Sequence, residues 1–184
     1  MDKRITQKAG EITSRLQKGG AVLSEMRLMV SKWSEDLART DSPDSAQKIL
    51  SKMTIARARH MYIYIFRPRF IYGSPPQAWK LTQVLETLSA DIDIIRPFYY
   101  WITARAETLL YKFATEELIH QAGNPDRTIR IDEVIAWISR KLREVNKQWT
   151  PAIRRKVAQG LLAALRDFGI LEGENGRASS RERD

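Results

Sequence analysis

Residues 149–171 read WTPAIRRKVAQGLLAALRDFGIL, the most strongly marked helix in the chain. Thr150 offers an N-cap oxygen, and Pro151 suits the first helical position, which needs no backbone donor. Ile153, Val157, Leu161, Leu165 and Phe168 then recur at helical spacing and form one apolar face. Arg154, Arg155 and Lys156 crowd the opening turns. Gly169 stops the helix, and Ile170-Leu171 begins a short strand.

Upstream, helical patterning prevails. A short helix is predicted over 11–17, closed by Gly19-Gly20, and a second carries the stripe Val22, Leu23, Met26, Val30 and Trp33. Ser42-Pro43 marks another helix start. Residues 61–66, MYIYIF, have strand chemistry, yet Ile55, Ala58, Tyr62 and Phe66 keep helical spacing; helix is favoured, ending near Phe66 or Arg67 because of Pro68. Ser74-Pro75-Pro76-Gln77 matches a capping box. Asp91 and Asp93 suit the start of the next helix, where Pro97 predicts a kink or break. A helix over 106–122, a loop at 123–126 and a helix capped by Asp132 follow. Residues 173–184 are almost devoid of apolar side chains and are predicted to be a disordered tail.

Residues 129–171 therefore read strand, helix, connection, helix, strand start, the order of a small winged helix-turn-helix. Such units place the opening turn of their last helix at DNA. The polar tail supplies a poor returning strand for the wing. The expectation is an all-α, compact multi-helix protein: an N-terminal helical subdomain over 1–90, a C-terminal helical, winged-helix-like subdomain over 91–172, and the tail.

Among the 184 residues, 31 Lys plus Arg stand against 22 Asp plus Glu, a net charge of +9. That balance favours an anionic partner without choosing among DNA, RNA and an acidic membrane. With no cysteine, disulfides and thiolate metal sites are excluded. The first residues lack the apolar core of a secretion signal, and no apolar run approaches the ~20 residues that span a bilayer. A soluble, cytoplasmic protein without membrane partner is expected. Catalysis has little support: no phosphate-binding glycine loop, nucleophile elbow or paired-histidine zinc motif occurs. Glu116 and His120 share a helical face, but two histidines in the whole chain make a metal site a poor reading. No cofactor and no small-molecule substrate are expected.

Positive charge is gathered in two stretches. Arg140, Lys141, Arg143, Lys147, Arg154, Arg155 and Lys156 are opposed within their segment only by Glu144; Lys52, Arg57, Arg59, Arg67 and Arg69 have no acid among them. The rest of the chain is slightly acidic. Localised cations suit a polyphosphate, whose counterions they release; a solvated charged face is the plain alternative. Arg67-Pro68-Arg69-Phe70 suits phosphate or base contact equally well as a linker whose rings are core. Phe66, Phe70 and the block Phe98-Tyr99-Tyr100-Trp101 are expected in the core.

Several segments together resemble the BrxA family of bacterial BREX (bacteriophage exclusion) loci. They are Lys18-Gly19-Gly20 with Leu23, Glu25 and Met26; Arg67-Pro68-Arg69-Phe70; Arg96-Pro97-Phe98-Tyr99-Tyr100-Trp101; and the closing Trp149-Thr150, Arg154-Arg155-Lys156-Val157 and Leu165 to Leu171. The resemblance implies a non-enzymatic accessory factor of phage defence, an all-helical fold with winged-helix or NusB-like character, and double-stranded DNA as partner. Individual contacts carry over only to Arg154, Arg155 and Lys156. Two other readings stand beside DNA binding: a scaffold that docks onto other BREX proteins, and an RNA binder in the NusB manner.

Overall fold

The computed structural model describes residues 11–121, 128–172 and 177–178. They are mostly helical and fall into two compact units. One holds Val22–Ala106; the other joins Ile12–Ala21 to the chain from Glu107 onward. The division thus lies one helix later than a 1–90 and 91–172 split, and a short early segment belongs with the later unit. The predicted loop at 123–126 and the tail, apart from Arg177 and Ala178, lie outside the described residues.

The first unit contains α1 (Leu23–Lys32), α2 (Glu35–Thr40), α3 (Pro43–Ile49), α4 (Ile55–Met61), α5 (Ala78–Thr87) and α6 (Ile92–Ala106). Their starts follow local chemistry. Ser34, Ser42 and Thr54 oxygens accept from the backbone of Leu37, Asp44 and Arg57, and Pro43 sits at the first position of α3. Asp91 accepts from the Asp93 N–H at 2.8 Å and opens α6. At the other end of α1, the Gln83 amide donates to the carbonyls of Val30 (2.9 Å) and Trp33 (2.8 Å).

Pro68 does not end its helix. The chain continues from α4 as a π-helix over Tyr62–Ile71. A proline ring presses on the carbonyl of the preceding turn and supplies no donor; the wider i to i+5 turn relieves that pressure, and Tyr72 N–H closes one such turn on Arg67 O at 2.9 Å. The wide register turns Tyr62, Ile65, Phe66, Arg69, Phe70 and Ile71 inward. Rings then run through the core: Trp33 to Phe66 at 4.7 Å, Phe66 to Phe70 at 5.3 Å, Phe70 to Tyr99 at 5.5 Å.

At Ser74 and at Pro97 the structure departs from the sequence expectation of a capping box and of a helix break. The capping box at Ser74 is not formed: Gln77 is left-handed (φ 55°), α5 begins at Ala78, and Ser74 Oγ instead accepts from Arg105 at 2.9 Å. Pro97 does not break α6; it lies exposed while Ile95, Tyr99 and Ile102 anchor the opposite side. Of the ring-rich block, only Tyr99 is core. Phe98 and Tyr100 are half-buried, and Trp101 is exposed.

The second unit opens with a 3-10 turn at Arg15–Lys18, all that remains of the helix expected over 11–17. Then come α7 (Thr108–Lys112), continued as a π-helix over Phe113–Leu118 and a 3-10 turn at Ile119–Gln121, α8 (Ile131–Glu144), α9 (Pro151–Asp167), β1 (Leu171–Glu172) and β2 (Arg177–Ala178). Arg130, not Asp132, occupies the cap of α8, and the Glu133 carboxylate accepts from its N–H at 3.2 Å. Helices α8 and α9 end alike. Asn146 (φ 52°) and Gly169 (φ 70°) turn left-handed; the N–H groups of Lys147 and Ile170 then reach back to Leu142 O and Leu165 O, both at 2.9 Å.

Val134, Trp137, Ile138 and Leu142 of α8 pack with Val157, Leu161 and Leu165 of α9 in a buried core. Phe113 meets Trp137 edge-on at 5.0 Å. After Gly169 the chain does acquire a returning strand: β1 and β2 pair antiparallel, Leu171 opposite Ala178 and Glu172 opposite Arg177.

Candidate nucleic-acid interface

Thr150 Oγ1 accepts from the Ile153 N–H at 3.3 Å and starts α9 as the sequence predicts. Val157, Leu161, Leu165 and Phe168 are buried, and Ile153 is half-buried. With that face inward, Arg155 and Lys156 project from the opening turns and are exposed. Arg154 between them behaves differently. It is half-buried, and its Nη1 donates to Ser139 Oγ of α8 at 2.7 Å, tying the two helices together.

The cations of α8 divide in the same way. Arg140 forms an ion pair with Glu117 at 2.6 Å. Lys141 sits between Glu116 at 2.7 Å and Glu144 at 3.0 Å, with its side chain only 11 % exposed. The hydrogen bond it donates to Glu116, then that to Glu144, holds its ammonium above the ordinary lysine pKa. Lys147 Nζ donates to the carbonyl of Ile12 at 2.8 Å. Arg143 is exposed. Among the described residues, Arg143, Arg155 and Lys156 are the exposed members of this stretch with no carboxylate beside them.

These three are near one another along the chain path. The Ser139–Arg154 contact sets the opening turns of α9 beside α8; Arg143 lies one helical turn beyond Ser139, and Arg155 and Lys156 follow Arg154 directly. The acids that neutralise Arg140 and Lys141 come from the π-helix over Phe113–Leu118, more than twenty residues upstream. Counting charge along the local segment cannot find them. Glu116, weighed above with His120 as a metal pair, serves Lys141 instead.

The second stretch divides as well, with Lys52, Arg57 and Arg59 exposed. Arg69 is fully buried, 0 % exposed, so it presents no charge at the surface; it lies in the π-helix, among whose inward residues are Phe66 and Phe70. Arg67 pairs with Asp41 Oδ2 at 2.6 Å and lies 5.1 Å from the Tyr72 ring centre. Asp41 also accepts from the hydroxyls of Tyr62 and Tyr72. Burial, then the Asp41 bond, pushes the Tyr62 phenol far up. Arg59 pairs with Asp44 at 3.2 Å, and Arg57, exposed, reaches His60 Nδ1 at 3.5 Å.

Among the described residues, no three His, Asp or Glu side chains gather closely enough to hold a metal ion, and no helix is long and apolar enough to cross a membrane. Fold and site define a basic helical protein in two units, the later one ending in two packed helices and a short hairpin. The BrxA family model matches residues 11–179, and the chain belongs to the BrxA family. No curated protein and no solved structure matches it.

Proposed function

We propose that this chain is a non-enzymatic, double-stranded-DNA-binding accessory protein of a BREX-type phage exclusion system, acting in the cytoplasm without a cofactor. Membership of the BrxA family supports the place in such a system. The observation that carries the DNA reading is the trio Arg143, Arg155 and Lys156, exposed and without carboxylate neighbours at the paired ends of α8 and α9. The order α8, α9, hairpin is that of a winged helix-turn-helix, whose last helix meets DNA through its opening turns. In this reading Arg155 and Lys156 contact phosphates, Arg143 flanks them, and Arg154 holds α9 at its angle to α8.

Salt dependence measures how many cations engage. Each neutralised phosphate contributes about −0.9 to the slope of log K against log salt, so three contacts give a slope of about −3 and all seven cations about −6. Fluorescence anisotropy with a random duplex across a salt series should return the smaller value. Arg155→Glu combined with Lys156→Glu should weaken binding to every sequence and flatten the slope. A folded double variant with unchanged affinity at each salt would overturn the proposal. In competition, duplex DNA should displace structured RNA; the reverse would assign the surface to RNA.

A further inference from the structure

Within the first unit, α6 carries two apolar stripes. Ile95, Tyr99 and Ile102 form the one that goes into the core. Ile94, Pro97, Phe98 and Trp101 form the other, recurring at i, i+3, i+4 and i+7 on a single helical face. Ile94 is 58 % and Trp101 41 % exposed; Pro97 is exposed and Phe98 half-buried. The Phe98 and Trp101 rings meet at 5.7 Å, so the stripe is unbroken along the helix. Apolar and aromatic side chains gathered in this way at a surface mark an interaction site.

Arg105 closes the stripe one turn after Trp101 and is held in place. Its guanidinium lies 5.5 Å from the Trp101 ring centre; Nε donates to Ser74 O and Nη2 to Ser74 Oγ, both at 2.9 Å. Among the described residues, Nη1 has no hydrogen bond and Arg105 no ion pair. One edge of a fixed guanidinium is therefore open and its charge uncompensated, which suits a carboxylate. Because the side chain is already ordered, little rotamer freedom is lost when that carboxylate arrives. Tryptophan and arginine are also among the side chains that anchor protein interfaces.

The charges around the stripe select the class of partner. Asp91 and Asp93, exposed at the start of α6, oppose a nucleic-acid backbone. Asp91 is itself engaged as the cap of its own helix, accepting from the Asp93 N–H at 2.8 Å, which favours a carboxylate from a different protein. We propose that this face of α6 docks an amphipathic helix of a different protein, whose apolar side chains cover Ile94, Pro97, Phe98 and Trp101 and whose carboxylate binds the open edge of Arg105. A helical partner fits because the ridges of one helix seat in the grooves of another. The surface uses none of Arg143, Arg155 and Lys156, so it stands apart from the DNA reading.

The probe is a fluorescein-labelled helical peptide of about 16 residues, long enough to run beside the ~17 Å from Ile94 to Arg105. It carries leucines at i, i+3, i+4 and i+7 and a glutamate one turn before the first of them. Anisotropy with the full chain should show saturable binding, with Kd of about 10–100 µM. Arg105→Gln should weaken binding about tenfold, and a peptide with glutamine in place of its glutamate should lose about as much. Both changes together should cost no more than either alone, since they remove one contact. Trp101→Ala and Ile94→Glu, each at an exposed position, should abolish peptide binding while duplex affinity stays that of the unaltered chain. No binding at about 1 mM peptide, losses that simply add, or a folded Trp101→Ala variant that binds as before would each overturn the proposal. Displacement of the peptide by duplex DNA would overturn it in favour of nucleic acid. A dimer of the unaltered chain that Trp101→Ala dissolves, seen by sedimentation velocity, would overturn it in favour of a second copy.

Discussion

A β-carbon added to Gly160 would lie 1.9 Å from the carbonyl oxygen of Leu16. The backbone of the 3-10 turn rests directly on α9, and the approach is mutual: a β-carbon on Gly20 would come within 2.8 Å of the Gly160 oxygen. Glycine inside a helix costs about 0.5–1 kcal/mol against alanine, so its place in the middle of α9 needs such a reason. Gly160→Ala should therefore destabilise the second unit by about 3 kcal/mol, through overpacking against backbone that cannot yield. Helix propensity alone gives the opposite sign. Urea unfolding followed by circular dichroism separates the two.

Glu116 and Glu117 neutralise cations that would otherwise face solvent. Glu116→Gln combined with Glu117→Gln should free Arg140, and leave Lys141 with Glu144 alone, without removing a positive charge. Duplex binding should then tighten several-fold, and the salt slope should steepen by about 1 to 2. An anisotropy titration in which the double variant binds as before would place Arg140 and Lys141 away from the phosphates.

Tyr62 and Tyr99 are buried beside carboxylates, Asp41 and Glu86. Burial first, then in Tyr62 the Asp41 hydrogen bond and in Tyr99 the Glu86 charge, pushes both phenols far above their ordinary value of 10.0. Above that value the unfolded chain releases these protons while the native chain retains them, so the unfolded state binds fewer protons and stability falls as pH rises. The stabilisation is complete below pH 10 and is lost above it at up to about 1.4 kcal/mol per pH unit for each phenol. Tyr99→Phe should lower stability at neutral pH and make the decline between pH 10 and 11 shallower. Parallel unfolding curves for the two proteins over that interval would contradict the assignment.

Phe66 touches Trp33 and Phe70 and is fully buried. Phe66→Ala removes the middle of the ring column and should cost about 3–5 kcal/mol. Near-ultraviolet circular dichroism should lose part of its tryptophan signal, because Trp33 loses its neighbour. An unchanged midpoint would mean that the π-helix does not pack as described.

Caps and apolar stripes were legible in the sequence because both act over a few residues. Thr150-Pro151 starts α9, Ser42-Pro43 starts α3, and Met26, Val30 and Trp33 go inward as their spacing requires. What was illegible depends on distant partners. Arg69 reads as surface charge, yet the wide turn that accommodates Pro68 carries it inside. Arg140 reads as free until Glu117 arrives from another helix. Ser74 reads as a cap for Gln77, but Arg105, thirty-one residues on, claims its oxygen. Arg155 and Lys156, whose neighbourhood is the opening of their own helix, stand where the sequence places them.

The membership of Ile12–Ala21 in the later unit has a practical bearing. Residues 22–106 interrupt that unit as a contiguous insert, and during synthesis the segment Ile12–Ala21 emerges long before its seat on α9 exists. A fragment trimmed to residue 107 onward would leave the bed of Leu16 bare and Lys147 without the Ile12 carbonyl it grips. Dissection of DNA binding should excise the insert and bridge its ends with a flexible linker, because cutting away everything before α7 removes part of what it aims to isolate.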